Sequence, residues 1–128
     1  MKGTNGAPLI RVMLVEDNID YRRLLERLLA RQPDLEVAAQ AGSLTEAREL
    51  ADIVSFDVAV LDLRLPDGDG TDLISDLRRG SPGVAVLILS ASLDPVSLDK
   101  ASRLGVDDVM DKLSSLPEVL GTIRRLGT

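Results

Sequence analysis

The chain has 128 residues, which is enough for one domain with an ordinary buried core, and it contains neither histidine nor cysteine. The absence of these two residue types excludes disulfides, thiolate or imidazole zinc sites, and Ser-His or Cys-His nucleophile pairs. A net charge of −6 without a basic run argues against nucleic-acid binding, and no apolar run could span a membrane, so we expect a cytoplasmic domain with protein partners.

The first half of the chain alternates short apolar runs with amphipathic segments. In chain order, these predict a strand at 10–15, a helix from Asn18 to Gln32, a strand at 35–39, a helix from Ser43 to about Val54, and a strand at 57–61. Asn18 and Ser43 are suitable N-caps because their side-chain oxygens can accept from the first free N–H groups. Five residues at helical spacing are expected on the core face of the first helix, namely Tyr21, Leu24, Leu25, Leu28 and Leu29.

The second half continues the same alternation. In chain order, it predicts a turn-forming loop at 66–70, a helix at 71–79, a strand at 84–89, a helix from Asp94 to Gly105, a strand at 107–111, and a helix from Ser115. The last two helices are expected to bury Leu98, Ala101 and Leu104, and Val119, Leu120, Ile123 and Leu126 respectively.

Near-continuous apolar strands alternating with helices indicate a parallel sheet that is covered on both faces. We therefore predict an α/β fold, a flavodoxin-like (βα)5 doubly wound sheet with strand order 2-1-3-4-5. This order would make the first and third strands neighbours. We assign residues 10–126 to the domain, 1–9 to an N-terminal extension and 127–128 to a C-terminal tail.

Polar residues stand where the predicted strands end. Glu16 and Asp17 follow the first strand, Asp62 the third, Ser90 the fourth and Lys112 the fifth. The carboxyl ends of parallel strands meet at one edge of the sheet, where open α/β sheets bind ligands. Three carboxylates, a hydroxyl and an ammonium at this edge suggest a site for a divalent cation and a phosphoryl group.

The chemistry of these groups favours magnesium and phosphoryl transfer. Neighbouring carboxylates repel by about 4 kcal/mol at 4 Å and an effective dielectric of 20, and Mg²⁺ relieves this because it takes oxygen ligands. Phosphoryl transfer needs mainly positioning and charge neutralisation. Asp62 is the candidate nucleophile, with Asp17 a direct metal ligand and Glu16 a ligand through water. Lys112 would balance the phosphoryl charge, and the Ser90 hydroxyl would donate to a phosphoryl oxygen.

Each of these residues also has an ordinary structural interpretation. Acids favour helix N-termini, a serine often ends a strand, and a lone lysine is usually solvated. The run Asp67-Gly68-Asp69-Gly70 looks like a calcium loop, but Asp72 and Arg78 stand where an EF-hand needs glycine and glutamate. We therefore assign this run to a turn and a helix start.

The residues at the strand ends resemble those of a known family, the receiver domains of two-component response regulators. The resemblance covers residues 10–126. It rests on four motifs, which are Val15-Glu16-Asp17-Asn18, the segment from Leu61 to Gly70, Leu89-Ser90-Ala91, and Lys112. The order and separations of these motifs together make a chance match a poor explanation.

The resemblance implies that a sensor histidine kinase or phosphotransfer protein phosphorylates Asp62, and that hydrolysis resets the switch. It implies that Asp17, Asp62 and the backbone carbonyl of Arg64 hold Mg²⁺. The backbone N–H groups of Ala91 and Arg64 would face the phosphoryl group. The side chains of Arg64 and Ser92 would tune hydrolysis.

The resemblance also implies that the domain is not an enzyme beyond catalysing its own phosphotransfer and dephosphorylation. Phosphorylation is expected to switch protein contacts or to form a homodimer. Two outputs stay open, a free-standing receiver or a further domain outside this chain that controls transcription. This segment itself is expected to contact neither nucleic acid nor a membrane.

Two positions depart from the family pattern. Val109 stands where the family usually has an aromatic ring that moves inward on phosphorylation, so readout through a rotating ring is not available. Leu113 replaces the usual proline after Lys112, and we expect a trans bond there because a non-proline cis bond costs about 2.5–4 kcal/mol.

Two alternative functions remain open from the sequence. A phosphorylation-independent pseudo-receiver is favoured by Val109 and opposed by the complete set of acids. An aspartyl-phosphate phosphohydrolase would use a strand-end acid such as Asp62, but those enzymes usually carry a second aspartate two positions later, where this chain has Arg64.

Overall fold

The computed structural model describes residues 9–128, so the extension predicted at 1–9 lies outside the described residues except for Leu9. The strands are β1 (Ile10–Val15), β2 (Leu35–Ala41), β3 (Val58–Leu61), β4 (Arg64–Leu65), β5 (Gly68–Asp69), β6 (Ala85–Ser90) and β7 (Asp108–Asp111). The helices are α1 (Ile19–Ala30), α2 (Leu44–Ala51), α3 (Ile74–Gly80), α4 (Pro95–Arg103) and α5 (Leu116–Gly127), and a 3₁₀ turn, Gly70–Leu73, precedes α3.

Five strands form one parallel sheet in the order β2-β1-β3-β6-β7. This confirms the predicted fold and the order 2-1-3-4-5, because β4 and β5 pair only with each other, as an antiparallel hairpin. The second strand of that hairpin, β5, lies within the predicted loop at 66–70, because strands of two residues show no periodicity. In the sheet, Leu61 lies opposite Val15 on one side and Ile88 on the other, which aligns the carboxyl ends of three strands.

The two faces of the sheet pack into two separate core layers, because successive side chains of a strand point to opposite faces. Met13 and Val15 of β1 belong to the layer covered by α2 and α3. Val12 and Leu14 belong to the layer covered by α1 and α5. Among residues 9–128, no helix is both long enough and apolar enough to cross a membrane.

Three leucines predicted on core faces are instead substantially exposed: Leu24 (46%), Leu98 (41%) and Leu104 (37%). In α1 the core contact is made by Leu25 and Leu29, and Leu24 lies at the margin of that narrow stripe. In α4 the only fully buried residue is Ala101, which was predicted correctly. Because α4 contacts the core mainly through Ala101, the apolar side chains on either side of that contact remain in solvent.

Several helix ends also differ from the expectation. Helix α1 ends at Ala30 rather than at Gln32, α4 ends at Arg103 rather than at Gly105, and α3 begins at Ile74, after the 3₁₀ turn, rather than at Thr71. Helix α2 ends at Ala51 rather than near Val54, because the N–H groups of Ile53 and Val54 both turn back to the carbonyl of Leu50. Helix α5 includes Gly127, one residue beyond the predicted end of the domain at 126.

The β4–β5 hairpin folds over the end of β3. The Asp67 carboxylate at its tip accepts from the N–H groups of Leu44 and Thr45 at 2.8 and 3.0 Å and so caps α2. The Asp69 carboxylate accepts from the Thr71 N–H at 2.8 Å. These hydrogen bonds show that Asp67 and Asp69 stabilise a turn and the starts of helices, as expected.

Gly70 occupies a position that a side chain could not, because backbone approaches it closely. Its N–H donates to the carbonyl of Leu63 at 2.8 Å, and an added Cβ would lie 1.9 Å from the backbone oxygen of Asp62. A side chain at this position would therefore displace the backbone beside Asp62.

We expect Gly70→Ala to lower the free energy of unfolding by about 1–3 kcal/mol, because the added methyl group overpacks against backbone. Gly121→Ala is the control: nothing lies within 4 Å of its added Cβ, and alanine is favoured over glycine in a helix by about 1 kcal/mol. Urea denaturation of both variants gives the comparison. Equal stabilities would contradict the role assigned to Gly70.

Candidate functional site

Backbone hydrogen bonds hold three strand-end residues at the same edge of the sheet. The N–H of Glu16 donates to the carbonyl of Ala41 at 2.9 Å, and the N–H of Asp62 donates to that of Val15 at 3.0 Å. The N–H of Lys112 donates to the carbonyl of Ser90 at 3.1 Å. The hydrogen bonds of the parallel sheet thus continue one residue past β1, β3 and β7. They fix the backbone positions of Glu16, Asp62 and Lys112.

Three carboxylates converge at this edge. One carboxylate oxygen from each of Glu16, Asp17 and Asp62 lies within 4.8 Å of the other two. Glu16 and Asp62 are buried, with 4% and 6% of their surface exposed, whereas Asp17 is exposed. Oxygen ligands at this spacing, with one acid open to solvent, suit a hard divalent cation that keeps some of its water.

The start of α1 fixes the orientation of the acid pair. The Asn18 N–H donates to Glu16 Oε2 at 3.0 Å, and Asn18 Oδ1 accepts from the N–H of Tyr21 at 3.0 Å as the helix N-cap. The Arg22 guanidinium donates to the Glu16 carbonyl at 2.8 Å. Asp17 therefore lies between a strand end and a capped helix, both of which restrict its backbone.

Lys112 joins the two buried carboxylates. Its Nζ lies 2.5 Å from Glu16 Oε1 and 2.9 Å from Asp62 Oδ2, and its side chain is 19% exposed. Burying two carboxylates next to each other is costly unless a cation compensates their charge. The ammonium supplies that compensation within the protein.

The same contacts shift two pKa values. Burial raises the pKa of Glu16 above its usual range, and the hydrogen bonds from Lys112 and the Asn18 N–H only partly oppose this. Burial alone would lower the pKa of Lys112, but its bonds to Glu16 and Asp62 outweigh burial and raise that pKa. Lys112 therefore stays an ammonium at neutral pH, and its stabilising contribution is lost only as pH rises through its elevated pKa.

The other predicted site residues lie around Asp62. Ser90 ends β6 and is 1% exposed, and its Oγ accepts from the Ser92 N–H at 3.2 Å. Ala91 lies between them and is exposed. The Arg64 N–H lies 3.5 Å from Asp62 Oδ1, the limit of a hydrogen bond, while its side chain is exposed and pairs with Asp94 at 3.9 Å.

Val109 lies in β7 opposite Ile88 and is partly buried against the core layer of α2 and α3. It places an aliphatic side chain where the resemblance called for a ring. The bond between Lys112 and Leu113 is trans, as are all peptide bonds in the described part of the chain, which confirms the expectation for Leu113.

Tyr21 packs against the core layer of α1 and α5, as predicted, but a second contact of its ring was not predicted. The ring centroid lies 5.0 Å from Nζ of Lys112. The spacing of Tyr21 from Leu25 and Leu28 matches an ordinary core stripe, and this masked its place beside the site. The position of Tyr21, one helical turn after Glu16 and Asp17, was the sequence signal that could have indicated its place beside the site.

Comparisons with known proteins agree with this geometry. A family model for the response regulator receiver domain matches residues 12–124. The DNA-binding transcriptional activator DevR/DosR of Mycobacterium tuberculosis is 42% identical over 92 residues, which cover 71% of this chain and 42% of that protein. Protein-glutamate methylesterase/protein-glutamine glutaminase 2 of Anaeromyxobacter dehalogenans is 34% identical over 126 residues, which cover 98% of this chain and 36% of that protein. The chain thus spans less than half of each relative.

A solved structure is similar over most of the chain. It is a response regulator protein from Burkholderia pseudomallei with a phosphorylated aspartic acid, a calcium ion and citrate. Its TM-score is 0.79 at 25% identity, with 88% of this chain and 65% of that chain covered.

We expect Lys112→Met to lower the free energy of unfolding by about 3–5 kcal/mol, because it leaves two buried carboxylates uncompensated. Lys100→Met is the control. The Lys100 side chain is 39% exposed and lies 3.6–3.8 Å from Asp69 and Asp72, and such surface pairs contribute about 0–1 kcal/mol. Urea denaturation without divalent metal measures both variants.

Adding Asp62→Asn to Lys112→Met should recover part of the lost stability, since it removes one of the two uncompensated charges. A double variant no more stable than Lys112→Met alone would contradict this explanation.

Proposed function

Since the chain belongs to the response regulator receiver domains of two-component systems, we propose that Asp62 is its phosphoacceptor and that a partner histidine kinase supplies the phosphoryl group. The observation that carries this proposal is the environment of the Asp62 carboxylate. It is almost fully buried at the sheet edge, it bonds to Lys112 through Oδ2, and its Oδ1 faces the Arg64 N–H.

The proposed reaction is a direct transfer. An oxygen of the Asp62 carboxylate forms a bond to phosphorus while the bond from phosphorus to the donor nitrogen breaks, and the electron pair of that bond leaves with the donor. Lys112 compensates the charge of the product. The Ser90 hydroxyl and the N–H groups of Ala91 and Arg64 donate to phosphoryl oxygens. The side chains of Arg64 and Ser92 tune the attack of water that resets the switch.

Receiver domains bind a divalent metal at an acidic pocket, and this chain has an acidic cluster of Glu16, Asp17 and Asp62. We propose that the metal is Mg²⁺, with Asp17, Asp62 and the carbonyl of Arg64 as direct ligands and Glu16 as a ligand through water. When bound, it neutralises charge on the phosphoryl oxygens. The exposed position of Asp17 beside two buried acids supports this assignment.

We propose that the signal leaves the site through the turn after β6 rather than through a ring at Val109. In the resting structure, the Ser90 hydroxyl is bound to the N–H of Ser92. Turning this hydroxyl toward a phosphoryl group breaks that bond and releases the turn, which leads directly to the α4 N-cap, Asp94. The surface formed by α4, β7 and α5 then changes its conformation.

Receiver domains interact with histidine kinases, and response regulators often dimerise. We propose that residues 10–126 form one receiver unit in the cytoplasm, that its donor is a histidine kinase or phosphotransfer protein, and that phosphorylation favours a homodimer. Transcriptional control would belong to a domain outside this chain. Receiver domains are mostly non-enzymatic, and we propose that this one catalyses only its own phosphotransfer and dephosphorylation.

Incubation with Mg²⁺ and acetyl phosphate, followed by intact mass measurement, tests the acceptor. We expect one phosphoryl adduct on the unaltered chain and none on Asp62→Asn. Asp52→Asn is the control because its side chain is 66% exposed outside the site, and it should form the adduct normally.

The other outcomes identify the alternatives. No adduct from acetyl phosphate or any other small donor would contradict the proposal and favour a pseudo-receiver. Rapid multiple turnover on phosphomonoesters would instead indicate a phosphohydrolase.

Magnesium binding tests the metal ligands separately. A ligand at 100 times its Kd adds about 2.7 kcal/mol to the free energy of unfolding, so saturating Mg²⁺ should raise the Tm of the unaltered chain. Asp17→Asn should lose this stabilisation. Asp20→Asn, which removes an exposed acid from the first turn of α1, should keep it. Equal stabilisation of both variants would contradict the role of Asp17.

A further inference from the structure

Tyr21 is held beside the site by the start of α1. Its N–H donates to the N-cap oxygen of Asn18 at 3.0 Å, so the helix start that follows Asp17 also fixes the backbone of Tyr21. Its ring centroid lies 5.0 Å from Nζ of Lys112, within the distance of about 6 Å at which a ring face attracts an ammonium. The ring is thus a third contact of the ammonium, besides Glu16 and Asp62.

The side chain of Lys112 needs such a contact to keep its place. A lysine carries its charge on a flexible four-carbon stem, so its backbone position alone does not determine where the ammonium lies. The two carboxylates attract the ammonium, but both also belong to the proposed metal site. The Tyr21 ring is uncharged and stays where α1 holds it when the charges in the site change.

Packing alone explains the ring of Tyr21 but not its hydroxyl. Among residues 9–128, the Tyr21 hydroxyl is the one buried side-chain polar atom that has no hydrogen-bond partner. An unpaired buried donor destabilises the folded state, and phenylalanine would place the same ring without it. Burial raises the pKa of Tyr21, so the hydroxyl keeps its proton at neutral pH.

We propose that Tyr21 is a positioning residue for Lys112, and that its ring loses or changes its contact with the ammonium when Asp62 is phosphorylated. This rests on the proposed acceptor role of Asp62. Phosphorylation adds about 1.5–2 negative charges at Asp62, which draw the ammonium toward the phosphoryl oxygens. The change is felt at the Tyr21 ring, which packs against the core layer of α1 and α5, and it needs no ring at Val109.

Amine labelling tests the positioning role in the resting protein. An acylating reagent is applied in limited amount, and modification of Lys112 is measured by peptide mass, with Lys100 as an internal reference in the same sample. Tyr21→Leu, which removes the ring, should raise the relative labelling of Lys112 by about fivefold. Tyr21→Phe, which keeps the ring, should stay within about twofold of the unaltered chain and be no less stable to urea.

Leu28→Ala is the matched control for lost packing, because Leu28 packs into the same core layer from the same helix. It should leave the ratio of Lys112 to Lys100 labelling unchanged. Equal labelling of Lys112 in Tyr21→Leu and the unaltered chain would overturn the positioning role. So would an increase in Leu28→Ala as large as that in Tyr21→Leu.

Tyrosine fluorescence tests the change on phosphorylation. The chain has one tyrosine and no tryptophan, so its intrinsic emission comes from a single side chain next to Lys112. In saturating Mg²⁺, acetyl phosphate should change this emission in proportion to the adduct measured by intact mass. Asp62→Asn should show neither adduct nor change. In Lys112→Ala, the emission change per mole of adduct should be much smaller than in the unaltered chain.

The two measurements separate failure of this proposal from failure of the proposed function. An adduct on the unaltered chain without any change in Tyr21 emission would overturn the coupling of Tyr21 to the site, while Asp62 would remain the acceptor. A full emission change in Lys112→Ala would overturn the route through Lys112. No adduct on the unaltered chain would overturn the acceptor role, and with it this proposal.

Discussion

The ammonium of Lys112 allows two carboxylates to be buried side by side at the end of the sheet. Glu16 and Asp62 follow adjacent strands, so the parallel ladder forces them together whether or not their charges are compensated. Without a cation in contact, one of them would have to take up a proton. Because Lys112 bonds to both, the two buried carboxylates share one cation supplied by the protein itself. The metal and the phosphoryl group of the proposed function would therefore enter a site whose charge is already partly balanced.

The backbone topology explains which parts of this arrangement the sequence could predict. The parallel sheet follows from apolar runs and chain alternation. The convergence of Glu16, Asp17 and Asp62 follows once the flavodoxin-like order makes the first and third strands neighbours. Side-chain burial depends instead on what lies across from each helix, and so Leu24 and Leu104 were placed in the core wrongly. Tyr21 was placed on the core face correctly, but its contact with Lys112 could not be predicted, because only the path of Lys112 from β7 brings an ammonium to its ring.

Helix α4 is attached mainly by polar contacts, and this bears on how a signal could move it. It buries only Ala101. The guanidinium of Arg78 donates to the carbonyls of Leu104 and Gly105, both at 2.8 Å, and holds the end of the helix. The ion pairs of Lys100 in α4 with Asp69 and Asp72 lie at the surface and contribute only about 0–1 kcal/mol each, because water competes for both groups. A helix held in this way can shift without opening the core, unlike α1, which buries Leu25 and Leu29.

The free energies involved show that a receiver without the usual ring could still switch. The bond between the Ser90 hydroxyl and the Ser92 N–H joins neutral groups, and such bonds contribute about 0.5–1.5 kcal/mol, against about 1.5–3 kcal/mol for bonds to a charged group. Exchanging one for the other favours the turned hydroxyl by about 1 kcal/mol, or roughly fivefold in population. The proposed movement of Lys112 toward the phosphoryl oxygens would add to the same preference. Since α4 buries only Ala101, the proposed switch needs no opening of the core at this helix.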